Sequence, residues 1–319
     1  MASLISLRIA TMAIFLASQQ MWVIEAKGQT TSAAPQAQRI FDPEVEVQKE
    51  DYARVRRSFR TKLIRQGPAP QEWQPYQVPA GVSEIEFKSG KLRLKAWINK
   101  PQEAGPKRPA VLFLHGGFAF GPRDWDMAKP YRDAGYVVMV PILRSENGQS
   151  GSFSMFYDEV DDVLAAAEFL KKQPSVDPKR MFLAGHSAGG TIALLAALTS
   201  KLFRATAAFD GSPDQQLLFG STGSARRSWI PKEVTFDHKD LSELQVRSPL
   251  AYAKSFKCPT RLYYSIEAMS LYQRPSIRTA AVAKERGFDV EAIQIEGSHF
   301  SHVPEAMKQS IEFFAGQNR

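Results

Sequence analysis

Met181-Phe182-Leu183-Ala184-Gly185-His186-Ser187-Ala188-Gly189-Gly190 is the stretch on which the reading of this chain turns. An apolar, strand-like run enters a Gly-x-Ser-x-Gly pentad, and a helix-forming run, Thr191-Ile192-Ala193-Leu194-Leu195-Ala196-Ala197-Leu198, leaves it. Strand, sharp turn and helix together form the setting in which a serine is held in a strained conformation with its Oγ exposed. Gly185 and Gly189 lack Cβ atoms, so strand and helix can close around the serine. Ser187 is therefore the expected nucleophile.

Outward from that turn, continuous apolar runs alternate with helical patterns. Pro109–Leu114, Tyr136–Val140, Ala205–Phe209, Arg261–Ile266 and Val290–Ile295 read as strands. Fully apolar strands suit a parallel sheet covered on both faces. Upstream, Val82–Lys88 and Lys91–Asn99 alternate on either side of Ser89-Gly90, a hairpin signal. With the strand that enters the pentad, this makes eight. Helices are predicted over Pro43–Arg65, Asp124–Ala134, Met155–Lys172, after the pentad, over Ser276–Arg286 and over Pro304–Ala315. The stretch from Gly211 to Phe256 interrupts the alternation. Trp229, Phe236 and Leu241 mark it as a small helical insertion between the sixth and seventh strands.

The 319 residues divide into three parts. Residues 1–26 read as a signal peptide: Arg8 precedes the apolar run Ile9–Ala17, which is too short to span a bilayer. The expected location is outside the cytoplasm, periplasmic or extracellular, with membrane attachment only if this segment stays uncleaved. Residues 27–78 form a linker and a helical extension placed on the outside of the main domain, and 79–319 form the catalytic domain. The net charge of +8 lacks a basic cluster with interleaved aromatics beyond Arg54-Val55-Arg56-Arg57 and Arg226-Arg227, so no nucleic-acid partner is expected. An anionic-surface binder is the reading that the charge alone would suggest. One cysteine, Cys258, excludes an intrachain disulfide and reads as a small buried apolar residue.

Acyl transfer by serine needs a base, a group to orient it and donors for the developing oxyanion. In hydrolases with this turn the partners follow in the order serine, acid, histidine. The base belongs after the last strand, where Gly297-Ser298-His299-Phe300 and His302 lie; His299 is favoured because it follows the strand directly, whereas His302 enters the closing helix. The oxyanion donors are the N–H of Ala188 and one from His115-Gly116-Gly117-Phe118, through Gly117 or Phe118. For the acid, Glu267 stands just past the seventh strand. Asp210, at the end of the sixth, is its rival, and Asp214 a more distant one.

These residues resemble the catalytic domain of the prolyl-oligopeptidase-like serine peptidases of the α/β-hydrolase superfamily. The likeness rests on Asp177-Pro178-Lys179-Arg180-Met181 leading into Gly185–Gly190, on His115-Gly116-Gly117, on Asp158–Val163 and on Gly297–Phe300, and it covers Pro79 to Gly316. It implies an α/β-hydrolase fold, a mostly parallel eight-stranded sheet flanked by helices, and a small peptide or ester substrate. It implies no metal or cofactor. Two features depart from the family. Where it carries Gly-x-x-Asp after the seventh strand, this chain has Ser265-Ile266-Glu267-Ala268, and the large N-terminal propeller of such peptidases is missing. Stand-alone domains of this kind include carboxylesterases and dienelactone-type hydrolases. A non-catalytic binding domain that lost its acid at Ala268 is the reading from another class.

Overall fold

In a computed structural model the described residues are 44–99, 105–220, 234–267 and 270–317. The expected signal peptide, the start of the linker and Trp229 lie outside them. Eight strands form one sheet in the order β1-β2-β4-β3-β5-β6-β7-β8. The hairpin pairs β1 (Val82–Ser89) with β2 (Leu92–Asn99), from Val82 opposite Asn99 to Ser89 opposite Leu92. Strand β2 also runs antiparallel to β4 (Val137–Pro141). The remaining strands are parallel: β3 (Arg108–Leu114), β5 (Val176–His186), β6 (Ala205–Phe209), β7 (Thr260–Ser265) and β8 (Val290–Ile295).

Alternate residues of the central strands feed two separate apolar layers. Ala110, Leu112, Leu114 and Met139 face one, with Val160 and Val163 of α4 (Glu159–Lys171), Leu194 of α5 (Ala188–Thr199) and Ala283 of α8 (Ser270–Lys284). Val111, Phe113, Val138 and Val140 face the other, with Trp125 of α2 (Pro122–Met127), Tyr131 of α3 (Lys129–Asp133) and Phe314 of α9 (Val303–Gly316). Period-two side-chain alternation makes each central strand apolar on both sides. That is why these strands read as unbroken hydrophobic runs.

Several predicted helices are shorter in the structure, each for a local reason. The helix expected over Pro43–Arg65 is only α1 (Tyr52–Ser58), started by the Asp51 carboxylate accepting from Arg54 N. Its flanks stay extended because their backbones bond to the main domain: Val45 N donates to Asp214 Oδ2 (3.0 Å), Gln48 N to Ala251 O (2.6 Å) and Ile64 N to Thr235 O (2.8 Å). Tyr52 is fully buried, and its hydroxyl donates to Val246 O at 2.7 Å. The extension thus belongs to the core and is no external addition. The helix expected over Asp124–Ala134 is divided into α2 and α3 ahead of Pro130, which lacks the N–H a continuous helix requires.

Helix α4 begins at Glu159, four residues later than the pattern predicts. Met155 and Phe156 adopt positive φ (53° and 74°). The fully buried Arg247 guanidinium holds this turn by donating to Ser154 O and Met155 O. Arg247 follows α7 (Leu241–Gln245) in the inserted stretch, which also contains α6 (Gln215–Gly220) and a short 3-10 helix, Pro249–Ser255. Phe236 is buried 3.8 Å beneath Arg247, as an anchor should be, whereas Leu241 is exposed.

Candidate active site

Ser187 sits between β5 and α5 with φ 55° and ψ −118°, a combination that side-chain-bearing residues seldom adopt. The chain around it leaves no alternative. A Cβ on Gly185 would lie 2.3 Å from Gly189 O, and one on Gly189 would lie 2.4 Å from the carbonyls of Leu114 and His115. Ser187 N donates to Phe209 O (2.8 Å) and so fixes the turn to the end of the neighbouring strand.

Because β5 and β6 are parallel with His186 opposite Phe209, the residue after β6 comes out beside the serine. That residue is Asp210, which is 1% exposed and in a left-handed conformation (φ 45°). Its Oδ1 accepts from Ser265 N (2.8 Å), and its Oδ2 accepts from Ser265 Oγ (2.7 Å) and from His299 Nδ1 (3.0 Å). Burial works to raise its pKa, but the bonds from His299 and Ser265 outweigh it and hold the carboxyl below its ordinary value. Asp210 is therefore a carboxylate. A His299 ring that donates Nδ1–H to it keeps Nε2 as the acceptor a serine hydroxyl needs.

The expectation that Glu267 orients His299 is corrected by this geometry. Glu267 is exposed at the far end of β7, and its N–H bonds to Gly297 O (3.2 Å). The end of β7 instead offers Asp210 donors. Ser265, the residue that replaces the usual glycine, supplies both of them. Asp214 is used elsewhere: its carboxylate caps Leu217 N and binds Val45 N, so it ties α6 to the N-terminal extension.

The two histidines weighed for the base both face the acid. His299 is the nearer and is partly exposed, while His302 Nδ1 is 3.7 Å from Asp210 Oδ2, with its side chain fully buried. The His302 Nδ1–H donates to Ser298 O (3.0 Å), and burial keeps its pKa low, so this ring is neutral packing beneath the site. His186 was not expected to take part. Its Nε2–H donates to the His299 carbonyl (2.8 Å) and its ring lies 4.7 Å from that of His299. Burial pushes its pKa down to about 4, and a proton on neighbouring His299 pushes the same way. Its position inside the pentad is the one sequence signal that could have marked it.

The loop after β3 lies against the nucleophile. A Cβ on Gly116 would be 3.0 Å from His186 Nδ1 and 3.3 Å from Ser187 Cβ. Beneath the loop, buried His115 contacts Glu146 Oε2 through Nε2 (3.0 Å) and Gly116 O through Nδ1 (3.0 Å). Burial opposes a charge on this ring, but Glu146 overcomes it and the pKa rises to about 10. Phe120 is clasped by Asn147 through two 2.8 Å bonds. Phe118 N donates to Gln71 Oε1 (2.8 Å), and Ala188 is the first residue of α5, where helix N–H groups lack intrahelical partners. Cys258 lies far along the chain, half-buried against Thr206, with burial pushing its thiol up to about 11.

The model of the prolyl oligopeptidase family matches residues 124–313, more than half of the chain and including Ser187, Asp210 and His299. The chain belongs to that family. It is a serine hydrolase with the fold of the α/β-hydrolase superfamily, as its resemblance implied. Among family relatives, it is 26% identical over 192 residues to the uncharacterized peptidase YtmA of Bacillus subtilis, covering 56% of this chain and 70% of that one. The acylaminoacyl peptidase of Pyrococcus horikoshii superposes with a TM-score of 0.60 at 27% identity, covering 73% of this chain and 41% of that one. This chain thus spans less than half of that peptidase. An esterase from Thermogutta terrifontis shares the fold, with a TM-score of 0.57 at 17% identity over 75% of this chain and 93% of its own.

Proposed function

We propose that this family member hydrolyses peptide or ester bonds of small substrates through an acyl-enzyme on Ser187. The observation that carries the reading is the buried Asp210 carboxylate 3.0 Å from His299 Nδ1, beside a serine held at φ 55°. In the proposed reaction His299 Nε2 takes the Oγ proton as Oγ bonds to the substrate carbonyl carbon. The carbonyl oxygen becomes an oxyanion held by the N–H groups of Ala188 and of Gly117 or Phe118. His299 then gives its proton to the departing amine or alcohol, leaving the acyl-enzyme. Water, deprotonated by the same imidazole, releases the acid and restores Ser187. Asp210 stays ionised throughout; it fixes the tautomer and stabilises the imidazolium.

The binding-domain alternative drew its support from Ala268, where the family acid is absent. A carboxylate bonded to His299 from β6 removes that support. Export remains part of the proposal and rests on Arg8 and the apolar run Ile9–Ala17. Among the described residues, no helix is long and apolar enough to cross a membrane.

The test is covalent labelling by a fluorophosphonate, beside hydrolysis of p-nitrophenyl acetate and a dipeptide anilide. Labelling confined to Ser187 and abolished in Ser187→Ala, with turnover of either substrate, is the expected result. An unlabelled Ser187, or full activity in Ser187→Ala, would contradict the reading, and the preferred substrate separates peptidase from esterase.

A further inference from the structure

The segment Gly67–Tyr76 is tied along the rim of the loop after β3. At one end Gly67 O accepts from Phe153 N and Ala69 N donates to Ser145 O, both at 3.0 Å. At the other end the Tyr76 ring packs edge-on against Trp97 (5.1 Å) and Phe120 (5.5 Å). Between these anchors Trp73 lies over Gly148, in the turn whose Glu146 grips His115. Gln71 therefore hangs from a strap secured on both sides, yet its own side chain is exposed and, among the described residues, makes one bond to the domain. That bond is Phe118 N–H to Oε1, 2.8 Å.

The place of this bond is specific. A Cβ on Gly117 would meet Gln71 Oε1 at 2.4 Å, and Gly117 has φ +69°, so the amide occupies space that only a glycine leaves open. The same loop rests against Ser187 through Gly116. A primary amide carbonyl thus lies on a backbone N–H of the loop that packs against Ser187, and this N–H is one of the two candidates the proposed reaction assigns to the substrate oxygen.

We infer that Gln71 is an internal stand-in for the substrate carbonyl, occupying the Phe118 N–H in the resting enzyme and displaced when substrate binds. The inference rests on the acyl-enzyme reading of Ser187. A neutral amide competes on near-equal terms with the neutral carbonyl of a ground-state substrate. It loses to an oxyanion, because hydrogen bonds to charged acceptors are about twice as strong. Gln71 therefore weakens ground-state binding and leaves the chemical step unhindered. It also keeps the donor from being left without a partner when the site is empty.

The experiment compares the full chain with Gln71→Ala and Gln71→Glu on p-nitrophenyl acetate and the dipeptide anilide. Loss of one exposed neutral hydrogen bond predicts a KM about two- to tenfold lower in Gln71→Ala, with kcat unchanged within about twofold. Gln71→Glu sets a carboxylate on the donor and raises KM at neutral pH. Backbone amide spectra add a readout independent of turnover: the Phe118 N–H signal shifts and exchanges faster in Gln71→Ala. Equal KM in wild type and Gln71→Ala, or a fall in kcat, overturns the gate. If Ser187 still takes a fluorophosphonate label in those cases, the acyl-enzyme reading survives. A Ser187 unlabelled in every variant overturns both.

Discussion

Asp210 and Glu267 follow β6 and β7 in the chain, and it is Asp210 that is bonded to His299. Asp210 is buried, conformationally constrained and met by three hydrogen-bond donors. Glu267, one strand further out, is exposed to water. An ionised carboxylate out of water is stable only where donors await it. The last residue of β7, Ser265, provides two of those donors. A catalytic acid is identified by its supporting groups more than by its place in the chain order.

The largest test of this contrast is Asp210→Asn, which keeps the shape and removes the charge that fixes the His299 tautomer. A fall in kcat on the order of 10³- to 10⁴-fold is expected, measured with p-nitrophenyl acetate. Ser265→Ala comes next, since it strips one donor from a buried carboxylate. Unfolding in urea should show a loss of about 1.5–3 kcal/mol, the usual worth of a hydrogen bond to a charged group. Its activity should fall far less than that of Asp210→Asn.

The same balance of burial against partners sets two opposite pH windows at neighbouring histidines. His115 has its pKa raised from 6.5 to about 10 in the fold, so its contribution is complete below pH 6.5 and is lost as pH climbs toward 10. His186 has its pKa lowered from 6.5 to about 4, so the unfolded chain takes up the proton first and stability falls as pH drops from 6.5 toward 4. Urea midpoints against pH should therefore fall on both sides of 6.5. His115→Gln should flatten the alkaline limb and His186→Asn the acid limb. The smallest effect is that of Glu267→Gln, with kcat/KM within about twofold of wild type.

The sheet was legible because its strands carry their burial in their composition. Continuous apolar runs such as Val111–Leu114 can only be covered on both faces, and the Gly185–Gly190 turn marks where strand gives way to helix. Ser187 and His299 were legible because each is placed by the strand just before it. The acid was not, since Asp210 and Glu267 follow strands equally well, and they are separated only by the bonds that Asp210 makes to His299 and Ser265, residues far away in the sequence. The N-terminal extension misled for a related reason. Its helical spacing is real around Tyr52, but Val45 and Ile64 spend their backbone bonds on residues far away in the sequence. His186 and Gln71 carry no local pattern, because their roles come from what the fold sets beside them.

His299 gives its Nδ1–H to Asp210, and proton NMR of the resting protein shows directly whether it does. A downfield Nδ1–H resonance should be present in wild type and in Glu267→Gln, and should move strongly upfield or vanish in Asp210→Asn. A resonance indifferent to Asp210→Asn but lost in Glu267→Gln would return the acid to β7 and contradict the account.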